Sequence, residues 1–267
     1  MISSAANERI KHAALLGKKA SAREEEKLFI AEGARLFEEI EDGLISELYL
    51  TEGGLSLLRE RGSAARAEEM LASEKAFLVK DDVFAKMSDV VTPQGVLAVV
   101  KQREHSWEEL IPPDRKPLII MLEDLRDPGN LGTVMRSAEA AGATGVILGG
   151  DCADIHSPKV VRSTMGALFR LPFMKLRDLS FCFGTLRSKG VKIYAAAMEG
   201  AQCFSKADLT GGCAFIVGNE GKGLKPETIA AADGCLFIPM AGKTESLNAS
   251  VSASLLLYEA ARQRGYN

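Results

Sequence analysis

The sequence predicts an α/β protein built from two units, and three observations carry that reading. Short apolar runs alternate with helical segments along most of the chain. One charged stretch, KQREHSWEELIPPDRK (101–116), breaks the alternation and contains a Pro-Pro pair. The 267 residues, 46% of them hydrophobic, exceed one small domain and supply enough apolar side chains for two cores. Alternating strands and helices with few hairpin signals point to a mostly parallel sheet covered on both faces in the second unit.

The first unit is expected at 1–100. Residues 1–27 are polar and helical in pattern, with Ile10, Ala13 and Ala14 as an apolar stripe. Arg9, Lys11, Lys18, Lys19 and Arg23 make this stretch positive before Glu24–Glu26 reverses the sign. LFIAEG (28–33) reads as a strand and turn, and ARLFEEIEDG as a helix stopped by Gly43. ISELYLT (45–51) alternates like a strand, and Glu/Arg/Ala-rich helical segments run from there to Ala72. A strand AFLV, a helix near 81–88 and an apolar strand GVLAVV (95–100) complete the unit. The linker is expected at 101–115.

The second unit, 116–267, opens with PLIIMLE (117–123), a buried strand. A helix over 130–141 follows, with Asn130 as its N-cap after a Pro128-Gly129 turn. GVILGG is a strand. SPKVVRSTMGALFRLPF reads as one helix that begins at Pro158 and is capped by Ser157. DLSFCFGTLRSKG is a helix, KIYAAAM and CAFIVG are strands, PETIAAA is a short helix and CLFIPM is a strand. SLNASVSASLLLYEAARQR closes the chain as a long helix.

Bulk properties exclude several classes. A net charge of −3 rules out a polybasic nucleic-acid binder, though not a local basic patch. Five scattered cysteines without a CxxC pair fit reduced thiols in a cytosolic protein and offer no metal site. His12, His105 and His156 are equally dispersed and read as ordinary surface or hydrogen-bonded residues. The N-terminus lacks the apolar segment of a signal peptide, and no run approaches the ~18 apolar residues of a membrane span.

Parallel sheets bind ligands at the carboxyl ends of their strands, and three such ends here carry unusual residues. In DPGNLGTVMRSAEAAGA (127–143), Leu131, Val134, Met135 and Ala138 share one helix face. Gly132, Arg136 and Ala140 share another, so Arg136 stands between two nearly bare positions, although a lone helical arginine is often simply solvated. In FIVGNEGKGL (215–224), a strand runs into Gly218, Gly221 and Gly223, whose backbone can approach a ligand closely. The spacing matches neither a Walker A loop nor GxGxxG, and an ordinary glycine-rich turn is the alternative. In CLFIPMAGKTESLNASVSASLLLYE (235–259), Ser246 and Asn248 precede a helix, where capping is their other natural role.

Taken in order, Asn-x-Gly-x-x-x-Arg, Gly-Asn-Glu-Gly-x-Gly and Ile-Pro-Met-x-Gly-x-x-x-Ser-Leu-Asn-x-Ser-x-Ser resemble the SpoU (TrmH-type) branch of the SPOUT methyltransferases. The resemblance covers about 116–264. It extends weakly to the first unit, where AEGARLFEEI and TPQGVLAVV resemble the family's ribosomal-protein-like substrate-binding domain. It implies a parallel sheet with a deep trefoil knot, an exception to ordinary chain topology. It implies S-adenosylmethionine (AdoMet) held by Gly218, Ile238 and Leu247 with Met240 close by, and methyl transfer to a ribose 2′-hydroxyl of RNA. Arg136 would face the target nucleotide, with Asn130 and Glu220 orienting it, while Ser246 and Asn248 would bond the ribose or cofactor. A guanidinium stays protonated (pKa above ~12), so stabilising a developing alkoxide and gripping a phosphate suits Arg136 better than acting as a base. The resemblance also implies a cytoplasmic homodimer with its site at the interface, no metal, and Arg162 reaching toward RNA phosphate. Arg9, Lys11, Lys18, Lys19 and Arg23 would form the phosphate-contacting edge of the first unit, with a merely solvated helix as the alternative. Ribosomal RNA is the expected substrate, because an extra domain precedes the catalytic one. A tRNA substrate, or a non-catalytic RNA-binding or assembly module of the same fold, are the other readings.

Overall fold

Long-range contacts divide the chain at one place inside the expected linker and at two places that the linker pattern did not mark. In the computed structural model, which describes residues 1–198 and 200–265, one unit comprises Met1–Arg103 together with Asp154–Phe169. The other comprises Glu104–Ala153 and the chain from Arg170 onward.

The first unit holds four strands: β1 (Leu28–Glu32), β2 (Ile45–Leu50), β3 (Ala76–Leu78) and β4 (Val96–Lys101). Their order is β1-β4-β2-β3, with β4 antiparallel to both neighbours and β3 parallel to β2. The helix Glu8–Lys18 buries Ile10, Ala13 and Leu16 against Ile30, Tyr49, Phe84 and Leu97. The apolar stripe therefore continues through Leu16, and Ala14 is only half-buried. The helix near 81–88 is a single turn, Asp81–Phe84.

Two features of the second unit's sequence fold with unexpected partners. The segment 101–115 is not a free linker. Ser106 and Glu109 form a capping box around the helix Trp107–Leu110, and Leu110 is fully buried in the second unit's core. Its apolar residues Trp107, Leu110 and Ile111 lie at i, i+3 and i+4, which gives one turn a face to bury. The segment Asp154–Phe169 packs in the first unit, where the helix Pro158–Ser163 lies against β1. The expected single helix here breaks at Met165 and Gly166, both at positive φ, before a second turn Ala167–Arg170. Ser157 stands at the N-cap but makes no side-chain cap bond; the turn is set by Asp154, which accepts from the His156 amide at 3.0 Å.

The second unit is a seven-stranded sheet of β5 (Leu118–Glu123), β6 (Gly145–Gly149), β7 (Phe173–Leu176), β8 (Lys192–Ala196), β9 (Gln202–Cys203), β10 (Cys213–Val217) and β11 (Gly234–Phe237). All its pairings are parallel, in the order β7-β6-β5-β10-β8-β11-β9. Every residue of β5, β6 and β10 is buried. Strands covered on both faces can be uninterrupted apolar runs, which is how they read in the sequence. The helix Ser180–Ser188 covers one face through Cys182, Phe183 and Leu186. The helix Ala249–Gln263 packs against β5, β10 and the helix Pro128–Ala140. The chain builds outward from β5 through β6 and β7, then returns to place β10 on the other flank of β5. The strand order thus switches between β5 and β10, and such a switch opens a crevice at the strands' carboxyl ends.

Candidate active site

The helix after β5 starts earlier than its sequence suggested. Asp127 is the N-cap, accepting from the Asn130 amide at 2.7 Å, and Pro128 occupies the first helical position. A proline there arrives with helical φ and has no N–H to lose, so the Asp-Pro pair outcompetes Asn130 as the start. The Asn130 side chain is therefore released from capping. Its amide donates to Glu220 Oε1 at 2.6 Å, and its carbonyl oxygen accepts from the Asn248 amide at 3.0 Å. Asn248 in turn caps the last helix through its own carbonyl oxygen, which accepts from the Ser250 amide at 2.8 Å. One side chain caps and reports to the site at once.

The loop after β10 closes on itself. A Cβ at Gly218 would lie 2.4 Å from the Gly223 carbonyl carbon and 2.6 Å from the Leu224 nitrogen. Gly218 is therefore required by the loop's own backbone. Asn219 organises the turn: its carbonyl oxygen accepts from the Gly221 and Lys222 amides, and its amide donates to the Asp124 carbonyl at 2.9 Å. That last bond ties the loop to the end of β5. Asp124 is itself fixed, because the Asp151 N–H and, more weakly, Lys225 hold its carboxyl below the usual range. Sequence reading gave no role of their own to Asn219, Asp124 and Asp127. The Asp-Pro step was the one local signal that could have revealed a member of this set.

A cavity of about 400 Å3 opens beyond the carboxyl ends of β8, β10 and β11. Gly218, Ile238, Met240 and Leu247 line it, as do Glu220 and Ser246. Asn130 and Asn248 reach it through Glu220. Arg136 does not line it. Six residues beyond Asn130, it sits about 9 Å further along the helix axis. It is exposed and has no hydrogen-bond or ion-pair partner among the described residues. Glu220 is held by the Asn130 amide and makes no ion pair with Arg136 in this chain. Of the two small neighbours of Arg136, Ala140 is exposed as expected but Gly132 is buried.

The model of the SpoU rRNA Methylase family matches residues 117–258, more than half of the chain. The chain belongs to the SpoU family. A model of the MRM3-like substrate binding domain matches residues 7–98. RlmP, the 23S rRNA (guanosine(2553)-2′-O)-methyltransferase of Bacillus subtilis, is 30% identical over 259 residues, which cover 96% of this chain and 97% of that one. An uncharacterised tRNA/rRNA methyltransferase of Synechocystis is 34% identical over 209 residues, 78% of this chain and 75% of that one. Among solved structures, the AdoMet-bound rRNA methyltransferase of Sinorhizobium meliloti superposes with a TM-score of 0.85 at 28% identity, covering 98% of this chain and 97% of that one. The SpoU methyltransferase AviRb of Streptomyces viridochromogenes, in complex with AdoMet, superposes at 0.82 with 27% identity and covers 97% and 99%.

The SpoU cavity fits that cofactor on its own residues. Its volume suits a ligand of this size. Apolar side chains such as Leu236, Met240 and Leu256 line it beside the backbone of the 218–224 loop, so it offers both faces for an adenine and polar groups for its edge. Among the described residues no cluster of His, Cys, Asp or Glu could hold a metal. No described helix is long and apolar enough to cross a membrane.

The basic residues expected at the RNA edge of this SpoU protein separate into two groups. Arg9, Lys11, Lys18 and Lys19 are exposed. Arg9 pairs with Glu47 and lies 4.4 Å from the Phe77 ring centroid, and Lys11 pairs with Glu8 at 2.7 Å. Arg23 is corrected by the structure. It is 5% exposed, donates to Asp154 from Nε at 2.8 Å, and donates to the Leu16 carbonyl at 2.6 Å. A guanidinium committed to internal acceptors cannot also serve as a phosphate contact. Arg162 is half-buried, with Nη2 on Asp89 at 3.1 Å.

Proposed function

We propose that this SpoU protein is an AdoMet-dependent methyltransferase that modifies a ribose 2′-hydroxyl in ribosomal RNA and works as a cytoplasmic homodimer. The observation that carries the reading is the hydrogen-bonded line Asn248–Asn130–Glu220, drawn from the last helix's N-cap, the helix after β5 and the loop after β10 to the edge of the cavity. The activity named for RlmP and the bound cofactor in two structural neighbours support it. So does the paired domain content, substrate-binding followed by methylase.

When bound, AdoMet supplies an activated methyl group and a good leaving group. The chain's task is then alignment and charge control. Gly218, Ile238, Met240 and Leu247 would hold the cofactor, with the closed 218–224 loop excluding water from one side. Glu220, oriented by Asn130, and Ser246 would position the ribose. Arg136 would bring a permanent positive charge to the hydroxyl as it loses its proton, and the proton would leave through phosphate or water.

Arg136 lies away from its own chain's cavity, which favours a site completed at an interface between protomers. Val251, Leu255 and Tyr258 of the last helix are 45%, 38% and 52% exposed. They form an apolar strip with Thr133, one helical turn before Arg136. A second copy of the chain suits that strip. The trefoil knot belongs to the same reading, supported by the insertion of β10 between β5 and β8. Arg9, Lys11, Lys18, Lys19 and Arg162 would contact RNA phosphates.

The test is Arg136→Ala. Methyl transfer to ribosomal RNA should fall at least a thousandfold, while AdoMet binding by calorimetry stays within a few-fold. Full activity would remove Arg136 from the reaction. Mapping ribose methylation in total RNA with and without the gene distinguishes ribosomal RNA from tRNA, and an unchanged map in both would favour a non-catalytic module.

A further inference from the structure

The first unit contains two arginines on or against the segment Asp154–Phe169, and they are held in opposite ways. Arg23 is saturated: Nε and Nη2 reach Asp154 at 2.8 and 2.6 Å, and Nη1 reaches the Leu16 carbonyl at 2.6 Å. Its side chain is 6% exposed. His156, tilted against the Phe29 ring at 4.8 Å between centroids, and Phe169, stacked on the same ring, fix the rest of the segment. The backbone that carries Arg162 is therefore firmly placed.

Arg162 itself is under-used. It donates from Nη2 to the Asp89 carboxylate at 3.1 Å. Nη1 is buried and has no hydrogen-bond partner among the described residues. Asp89 is 62% exposed, in the same loop as Val91, which is 99% exposed. A second acid, Glu32, stands nearby with Oε1 accepting from the Ser88 hydroxyl at 2.6 Å and Oε2 without a partner among the described residues. Burial pushes the Glu32 carboxyl above its usual range, although the Arg162 charge pulls it down. A second carboxylate thus feels the charge of a guanidinium that Asp89 already holds, on a unit read as contacting a polyanion. A single-point, water-exposed pair of this kind is weak. A phosphate that offers two oxygens to the guanidinium fork is the stronger acceptor.

The geometry points to Asp89 as an internal competitor that occupies Arg162 in place of phosphate until a seated RNA displaces it. The inference rests on the reading of Arg162 as an RNA contact. Asp89 lowers the affinity of every RNA that uses Arg162, and an RNA docked by its other contacts delivers a phosphate where Arg162 can turn to meet it. Loosely bound RNA is left against an acidic loop.

The test uses the full-length protein with two probes, an unmodified ribosomal RNA transcript and a homopolymeric RNA, and reads dissociation constants at fixed salt. Asp89→Asn keeps the side chain's shape at an exposed position. It should tighten transcript binding about two- to fivefold, the range expected for a surface ion pair. The homopolymer should gain no more than the transcript does. Arg162→Ala should weaken transcript binding, and in the double variant the gain from Asp89→Asn should vanish. If Arg162→Ala leaves RNA binding unchanged, the reading of Arg162 as an RNA contact fails and takes the inference with it. If Arg162→Ala weakens binding but Asp89→Asn weakens it too or does nothing, Asp89 positions Arg162 and the inference alone is overturned. A gain that persists in the double variant means simple charge repulsion and also overturns it.

Discussion

Replacing Arg23 separates a surface cation from a buried structural one. As a phosphate contact on an exposed helix, Arg23→Ala would weaken RNA binding and leave stability within about 0.5 kcal/mol. The structure requires the reverse order of effects. The substitution strips the Asp154 carboxylate of its guanidinium and leaves the Leu16 carbonyl without its 2.6 Å donor. Breaking a buried ion pair by removing one partner costs about 3–5 kcal/mol. Asp154 retains 24% side-chain exposure, which softens its loss and places the expected value near the lower end, about 3 kcal/mol. For a unit of this size that lowers the melting midpoint by roughly 10–15 °C. Arg23→Lys should lose about half as much, because an ammonium cannot reach both the carboxylate and the helix carbonyl in the fork's geometry. Differential scanning calorimetry of the full chain reads both, with the first unit's transition moving and the second's staying. A loss below 1 kcal/mol for Arg23→Ala, accompanied by weaker RNA binding, would refute the reasoning.

Three further outcomes follow from the geometry. Gly218→Ala places a Cβ within 2.6 Å of the Gly223 and Leu224 backbone. Calorimetry should show AdoMet affinity falling at least tenfold with the sheet's circular dichroism intact. Leu255→Asp puts a charge in the exposed apolar strip and should convert a dimer to a monomer in light scattering, with a loss of transfer but not of chain stability. Glu32→Gln should stabilise the first unit at pH 8 more than at pH 4. A carboxyl whose folded value is raised penalises the folded state once the pH exceeds its ordinary value, and glutamine removes that penalty where the carboxyl is charged. Equal melting shifts at the two pH values would contradict it.

Much of this was legible in the residues, and the failures have physical causes. Leu118–Glu123 and Cys213–Val217 are uninterrupted apolar runs, so their burial on both faces could be read directly. The strand Phe173–Leu176 was missed because it is short: its first residue was read as the end of a helix, and 174–176 carry no pattern of their own. The two-residue strand Gln202–Cys203 has no pattern to read. Asn130 and Gly218 were singled out for function, but Asn130 was also assigned to capping and Gly218 to ligand approach. The first reading put Pro128 in the turn before the helix and not at its first position, and the second, though Gly218 does line the cavity, could not foresee that Gly223 folds back onto Gly218. Arg23 looked like its basic neighbours because its acceptor, Asp154, lies 131 residues away. Local charge patterns carry no trace of a partner that distant.

The line from Asn248 through Asn130 to Glu220 bridges sequence separations of 118 and 90 residues. Contacts so remote cost the most chain entropy and close after the nearer pairings are made. The terminal helix supplies the last of the three side chains, so a nascent polypeptide still emerging from the ribosome cannot assemble the constellation. On the function proposed above, competence waits on Asn248, and a product truncated before it lacks the line however well its earlier strands have paired.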